Sequence, residues 1–180
     1  MRQKGVDDAA ITAMLYAENI AEDEIVHIPH TYDNEALIKG QAAVMSAYIS
    51  DQPHLYNQLG HKTTILYPYN YGVDFYGDML FTSEAFLQEN EELVHRFRKA
   101  SLQGWEYALA NPEEIVDLIM AKYSTKQTRE HLLYEAEQTI KIIRPNLIEV
   151  GHFNSARFDR IANIYQNLGM APNQSKLYGI

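Results

Sequence analysis

Apolar residues in the first part of the chain occur in short β-rich runs, separated by segments with helical spacing. The runs that predict strands are residues 24–28, 43–48 and 63–67. The segments that predict helices are residues 9–19, 33–38 and 53–59. Residues 43–48 are almost all apolar, which predicts a strand buried on both faces. Because strands that alternate with helices pair in parallel, this pattern predicts a small α/β lobe.

The pattern changes near residues 69–72. Residues 73–81 predict one extended segment, and the chain after it has mainly helical periodicity. The predicted helices begin at residues that favour a helix N-terminus, namely Ser83, Asn90, Asn111, Thr128 and Asn154. Their apolar stripes, which we expect to be buried, include Phe97, Trp105, Ile115 and Phe158.

The amino-acid composition excludes several classes of function and says less about the fold. The chain has 180 residues, of which 46% are hydrophobic and 22% charged, which suits one compact domain or two small lobes. A net charge of -9 argues against nucleic acid as a partner. The absence of cysteine excludes disulfides, thiolate nucleophiles and cysteine-ligated zinc. No apolar run approaches the roughly 20 residues of a membrane span, and no signal peptide is recognisable at the start.

Three stretches resemble a known family: LIKGQAAVMSAY (37–48), GVDFYGDMLFT (72–82) and residues 90–114, which include FRKASLQGWEYA (97–108). They resemble the solute-binding proteins for nitrate, sulfonates, taurine and thiamine-pyrimidine precursors, and within them the branch similar to thiamine-pyrimidine synthases. The resemblance implies an α/β, periplasmic-binding-protein-like fold of type II, in which two lobes enclose a ligand. Residues 1–73 would be the second lobe, and residues 74–180 a crossing strand and helical segment of the first lobe. Most of the N-terminal lobe would have no counterpart here, so the fold would be partial.

Two carboxylates are expected at the start of the first helix. Asp7 and Asp8 stand where free backbone N–H groups and the helix dipole attract anions. Because they would compete with an anionic ligand, we expect a ligand that is neutral or cationic, such as an amino-substituted heterocycle. The alternative is that Asp8 only caps the helix and Asp7 is solvated.

A second set of candidate ligand-binding residues lies in the predicted crossing strand. Alternation along a strand places Asp74, Tyr76 and Asp78 on one face, where two acids and a phenol suit a ligand amine. The alternative is a hinge strand whose acids pair with nearby arginine or lysine. Tyr48, at the end of a predicted strand, is a candidate aromatic wall for a planar ligand.

The sequence offers no catalytic or metal motif. His27, His30, His54 and His61, taken with Asp33 or Asp51, suggest a metal site only weakly, because no ligand spacing is present. We therefore expect no metal, no cofactor and no catalytic residue. The expected function is small-molecule binding in the periplasm, with an ABC permease or a downstream signalling domain as partner. Two alternatives are an enzyme of thiamine pyrimidine-precursor synthesis and a helical interaction domain.

A missing first lobe has a physical consequence for the C-terminal helices. Their apolar stripes would normally cover the sheet of that lobe. Without it, the sequence predicts that they pack on one another or on a second copy of the chain, as a homodimer.

Overall fold

The computed structural model describes residues 2–3, 9–29, 34–124 and 126–169. The α-helices in these ranges are α1 (Ala9–Ala17), α2 (Glu35–Ile38), α3 (Gln52–Gln58), α4 (Glu84–Glu89), α5 (Glu91–Ala110), α6 (Pro112–Lys122), α7 (Arg129–Ile143) and α8 (Ser155–Asn167). The strands are β1 (Arg2–Gln3), β2 (His27–Ile28) and β3 (Val44–Met45), and 3₁₀ turns span Glu22–Glu24 and Pro68–Tyr71. The described chain is therefore mostly helical, with few and short strands.

The three strands form one parallel sheet in the order β2-β1-β3. Arg2 lies opposite His27 on one side and Val44 on the other. The chain runs from β1 through α1 to β2, and from β2 through α2 to β3. The predicted parallel pairing of strands that alternate with helices is confirmed, although each strand is only two residues long.

Several predicted strands are wrong. Residues 63–67 form no strand, and Ile65 and Leu66 are exposed. Only two residues of 43–48 pair, and Val44 is 45% exposed because β3 is an edge strand with one neighbour. Residues 24–26 are not in a strand either, since Glu24 belongs to a 3₁₀ turn.

The predicted extended segment 73–81 also forms no strand. The 3₁₀ turn before it ends at Gly72, whose φ of 80° is left-handed. The Val73 N–H donates to the Pro68 carbonyl at 3.0 Å, so it is used by the turn rather than by a sheet ladder. High β-propensity alone does not form a strand where the backbone lacks a pairing partner.

Helix starts follow the sequence more closely. The side chains of Ser83, Thr128 and Asn154 accept hydrogen bonds from backbone N–H groups of α4, α7 and α8, as predicted. Asn90 and Asn111 occupy the predicted N-cap positions of α5 and α6, but their side chains make no capping bond and instead donate to carbonyls of the preceding helices. The predicted cap Asp8 lies outside the described residues.

The chain divides into two compact units. Unit 1 takes in residues 1–48, 56–77 and 153–180, and unit 2 takes in residues 49–55 and 78–152. In unit 1, Ala13 and Met14 of α1 are buried against Val73, and Ile164 and Leu168 of α8 pack on this cluster. The assignment of residues 1–73 and 74–180 to two lobes stays a prediction, and in this structure α8 groups with unit 1.

Unit 2 is built from α4 to α7 and buries few side chains completely. Val116 of α6 and His131 of α7 are buried, while Phe97 of α5 is 59% exposed and Trp105 is also exposed. The predicted burial of the α5 stripe by neighbouring helices is therefore wrong for these two aromatic residues. None of the described helices combines the length and the apolar character needed to cross a bilayer.

An ion pair joins α6 to α7 on the surface of unit 2. The Arg129 Nε lies 2.7 Å from Asp117 Oδ1, and its guanidinium lowers the pKa of the Asp117 carboxyl below the ordinary value of 3.8. Because the pKa of Asp117 is lower in the folded state, the ion pair stabilises the fold at pH values above the ordinary pKa of 3.8. This stabilisation is lost as the pH falls through the folded-state pKa. Because both groups are exposed, the effect is small.

We expect Arg129→Gln to lower the urea unfolding midpoint slightly between about pH 7 and pH 5, and the difference from wild type to vanish once the pH falls below the folded-state pKa of Asp117. Urea unfolding at a series of pH values measures this difference. Arg160→Gln, which removes an exposed arginine of α8, is the control. A difference that persisted below the folded-state pKa would contradict the ion-pair explanation.

Candidate ligand-binding site

The carboxyl edge of the parallel sheet is the first candidate site. The chain leaves β1 towards β2, whereas β3 pairs with the other side of β1, so the connections reverse direction between β1 and β3. Ligands of open parallel sheets bind beyond the carboxyl ends of strands at such a switch point. Residues 4–8 follow β1, and residues 46–48 follow β3.

Tyr48 lies in the segment that follows β3 and is 68% exposed. Its ring is therefore accessible at the sheet edge where the topology predicts a ligand. Asp7 and Asp8 follow β1 in the sequence but lie outside the described residues. Of the three residues predicted to follow these two strands, Tyr48 is the one that the structure describes.

A buried tyrosine supports the end of β3. Tyr56 of α3 is 2% exposed, and its hydroxyl lies 2.8 Å from the Asn34 carbonyl oxygen and 2.8 Å from Met45 Sδ. These contacts join α3 to the last residue of β3 and to the start of α2. They hold in place the strand from which Tyr48 extends.

Asp74 and Tyr76 meet around Arg157 of α8. An Arg157 Nη2 lies 2.7 Å from Asp74 Oδ1 and 3.0 Å from the Phe75 carbonyl oxygen. The guanidinium carbon lies 4.1 Å from the centre of the Tyr76 ring, which is a cation–π contact. Asp74 and Tyr76 thus both contact Arg157, although the predicted strand is absent, and the acid pairs with an arginine that is distant in the sequence rather than local.

The Tyr76 side chain of this cluster also contacts an aromatic ring and a backbone N–H group. Tyr76 stacks on Phe153 with ring centres 6.2 Å apart, and its hydroxyl accepts a hydrogen bond of 2.9 Å from the Asn154 N–H. Phe75 turns to the other side and stacks on Tyr165 of α8. Asp78 is exposed and belongs to unit 2, whereas Asp74 and Tyr76 belong to unit 1.

Unit 2 contains a histidine cluster that the sequence analysis missed. His131 of α7 is 4% exposed, and its Nε2 lies 2.9 Å from Asp51 Oδ1. The His54 ring stacks on Tyr134 at 4.3 Å and meets the His131 ring edge-on at 5.3 Å. The only signal in the sequence was the spacing of Asp51 and His54, one helical turn apart, because His131 is far away in the chain.

Two further histidines that the structure describes, His27 and His61, lie outside this cluster. His27 Nε2 lies 2.9 Å from Glu22 Oε1, His61 is exposed, and His30 and Asp33 lie outside the described residues. Across the described ranges, no group of three or more histidine or acidic side chains is arranged to hold a metal ion.

An apolar groove of about 540 Å³ lies between α5, α6 and α7 in unit 2. Trp105, Leu109 and Ile119 are among its apolar lining residues, and Ser101 and Thr139 are among the polar ones. Its volume falls within the range of small-molecule pockets, but few polar groups converge on it. The sequence analysis did not predict this groove.

Known proteins match most of this chain. The family described as NMT1/THI5 like matches residues 1–115, so the chain belongs to this family. A formylaminopyrimidine-binding protein of Halalkalibacterium halodurans is 30% identical over 87 residues, which cover 47% of this chain and 26% of the relative. The riboflavin-binding protein RibY of Chloroflexus aurantiacus is 30% identical over 111 residues, which cover 61% of this chain and 31% of the relative. The matches thus span between a quarter and a third of each relative's length.

The buried His54 Nε2 has no hydrogen-bond partner in the described part of the chain. Because an unsatisfied buried polar atom is costly, we expect His54→Phe, which keeps a ring to stack on Tyr134, to raise stability by about 1 kcal/mol. Urea unfolding measures the change, and His61→Phe at an exposed position is the matched control. A clear loss of stability in His54→Phe alone would show that Nε2 makes a stabilising contact.

Proposed function

We propose that this chain is part of a bacterial solute-binding protein and contributes residues that bind a small molecule. The observation that carries the proposal is the switch point of the parallel sheet in unit 1 of a chain that belongs to the NMT1/THI5-like family. The structure has the strand order that such a site requires, and Tyr48 stands in one of the two segments that follow the switch-point strands. In this proposal the sheet is the second lobe of a periplasmic-binding-protein-like fold of type II.

The proposed ligand is a neutral or cationic amino-heterocycle, such as a thiamine pyrimidine precursor. The two relatives are named for a formylaminopyrimidine and for riboflavin, both of which contain planar nitrogen heterocycles. The proposed binding residues are Asp7, Asp8, Tyr48, Asp74, Tyr76 and Asp78. Carboxylates accept hydrogen bonds from ring N–H and amino groups, and tyrosine rings stack on planar ligands.

We also propose that the parent protein is periplasmic and works with an ABC permease or a downstream signalling domain. Ligand closure of two lobes is the change that such a partner would sense. Both named relatives are binding proteins, which supports binding rather than catalysis.

Isothermal titration calorimetry tests the proposed ligand class with 4-aminopyrimidines, a formylaminopyrimidine, riboflavin, taurine and nitrate. We expect binding of the amino-heterocycles and none of the anions. Tyr48→Ala and the double substitution Asp7→Asn with Asp8→Asn should each weaken binding about tenfold, the effect of losing about 1.4 kcal/mol of binding free energy. Tyr123→Ala, at an exposed tyrosine after α6, is the matched control.

Binding of nitrate or taurine in preference to aminopyrimidines would contradict the proposed ligand class. If no compound binds the chain, the same titration of a longer protein that includes the proposed first lobe decides between two explanations. Binding there shows that the lobe is required, and no binding there overturns the proposed function.

The exposed apolar side chains of α5 support self-association as a further part of the proposal. Leu93, Phe97 and Trp105 expose about half or more of their surface, and helix faces of this kind pack against a partner in stable proteins. We expect sedimentation velocity to show a dimer whose fraction rises with protein concentration. The Phe97→Glu variant should remain a monomer. A single monomeric species at all concentrations would contradict the dimer.

A further inference from the structure

We infer that Asp74, the Phe75 carbonyl and the Tyr76 ring form a subsite for a planar cationic nitrogen group, and that Arg157 occupies this subsite until a ligand displaces it. The inference rests on the proposed function, because it identifies which part of the ligand Asp74 and Tyr76 would bind. Its ligand class is the amidinium-like edge of a protonated aminopyrimidine or a related amino-heterocycle.

The contacts of Arg157 define the chemistry of the subsite. A carboxylate oxygen at 2.7 Å and a carbonyl oxygen at 3.0 Å accept from one guanidinium nitrogen, and the Asp74 carbonyl lies 3.4 Å from Nε. The Tyr76 ring lies against the guanidinium at 4.1 Å. Acceptors in a row together with an aromatic face are the features that bind a flat cation with several N–H donors.

Arg157 is held by these groups and not by its own helix. It is the third residue of α8, where the positive end of the helix dipole disfavours a cation, and the first turn of α8 contains no acidic residue. Asn154 accepts only the backbone N–H of Arg157, so the capping bond does not involve the guanidinium. The side chain therefore stays at this helix end because the Asp74–Tyr76 face attracts it.

The ion pair of Arg157 and Asp74 is also exposed enough for a ligand to replace Arg157. The side chains of Arg157 and Asp74 are 33% and 53% exposed. Ion pairs with this exposure contribute little to stability, so a ligand that offers the same donors replaces Arg157 at low cost. An amino-heterocycle that is protonated at the ring nitrogen next to its amine, such as 2-aminopyridinium, presents a ring N–H beside an exocyclic amine. These groups reproduce two adjacent donors of a guanidinium, and the ring is flat enough to cover Tyr76.

The experiment uses the full chain with Arg157→Ala and two probes, methylguanidinium and 2-aminopyridine, measured by calorimetry. We expect Arg157→Ala to bind methylguanidinium, which wild type does not, and to bind 2-aminopyridine about tenfold more tightly than wild type. Adding Asp74→Asn to Arg157→Ala should remove both effects. Arg157→Gln, which keeps a polar side chain but is shorter and uncharged, replaces the alanine variant if that variant does not fold.

Arg129→Ala is the matched control, since it also frees exposed carboxylates, those of Asp117 and Glu113, but no aromatic ring among the described residues is stacked on that guanidinium. Equal methylguanidinium binding by Arg129→Ala and Arg157→Ala would overturn the subsite. Where wild type binds 2-aminopyridine, unchanged or weaker binding by folded Arg157→Ala would also overturn it, because a purely structural arginine does not compete with ligand. If methylguanidinium binds Arg157→Ala but no protein form binds any heterocycle, the subsite stands and the proposed function fails.

Discussion

The packing of α1 against Val73 connects parts of unit 1 that are distant in the sequence. Ala13 and Met14 cover Val73, and Ile164 and Leu168 of α8 pack on the same cluster. This contact brings the helix that follows β1, the turn at residues 68–72 and the last described helix into one unit. Asp74, Tyr76 and Arg157 meet only because the segment after Val73 and the start of α8 are fixed in this way.

Each described cluster of polar residues combines groups far apart in the chain. Arg157 contacts Asp74, and His131 contacts Asp51. The sheet adds a third case, because β3 pairs with β1 and not with β2, which precedes it in the sequence. Long-range contacts of this kind depend on the topology, and local sequence patterns contain little information about them.

Local patterns predicted the helices better than the strands. Ser83, Thr128 and Asn154 start helices because their side chains accept hydrogen bonds from N–H groups two or three residues ahead, which is a local interaction. Residues 63–67 have the composition of a strand but form none, because a strand requires a partner elsewhere in the chain. The predicted burial of Phe97 was wrong for a similar reason, because an apolar stripe on a helix does not specify which other segment packs against it.

The sequence by itself determined the helix starts in the second half, the parallel arrangement of alternating strands and helices, and the family. These depend on interactions between near neighbours, or on patterns that repeat along the chain. Only the tertiary structure decided that β1 is central, that Arg157 covers the Asp74–Tyr76 face, and that His54 and His131 share one cluster. The reason is physical, because each of these features depends on which distant segments pack together. Local composition does not favour one pairing of segments over another, so the packing of the whole chain selects among them.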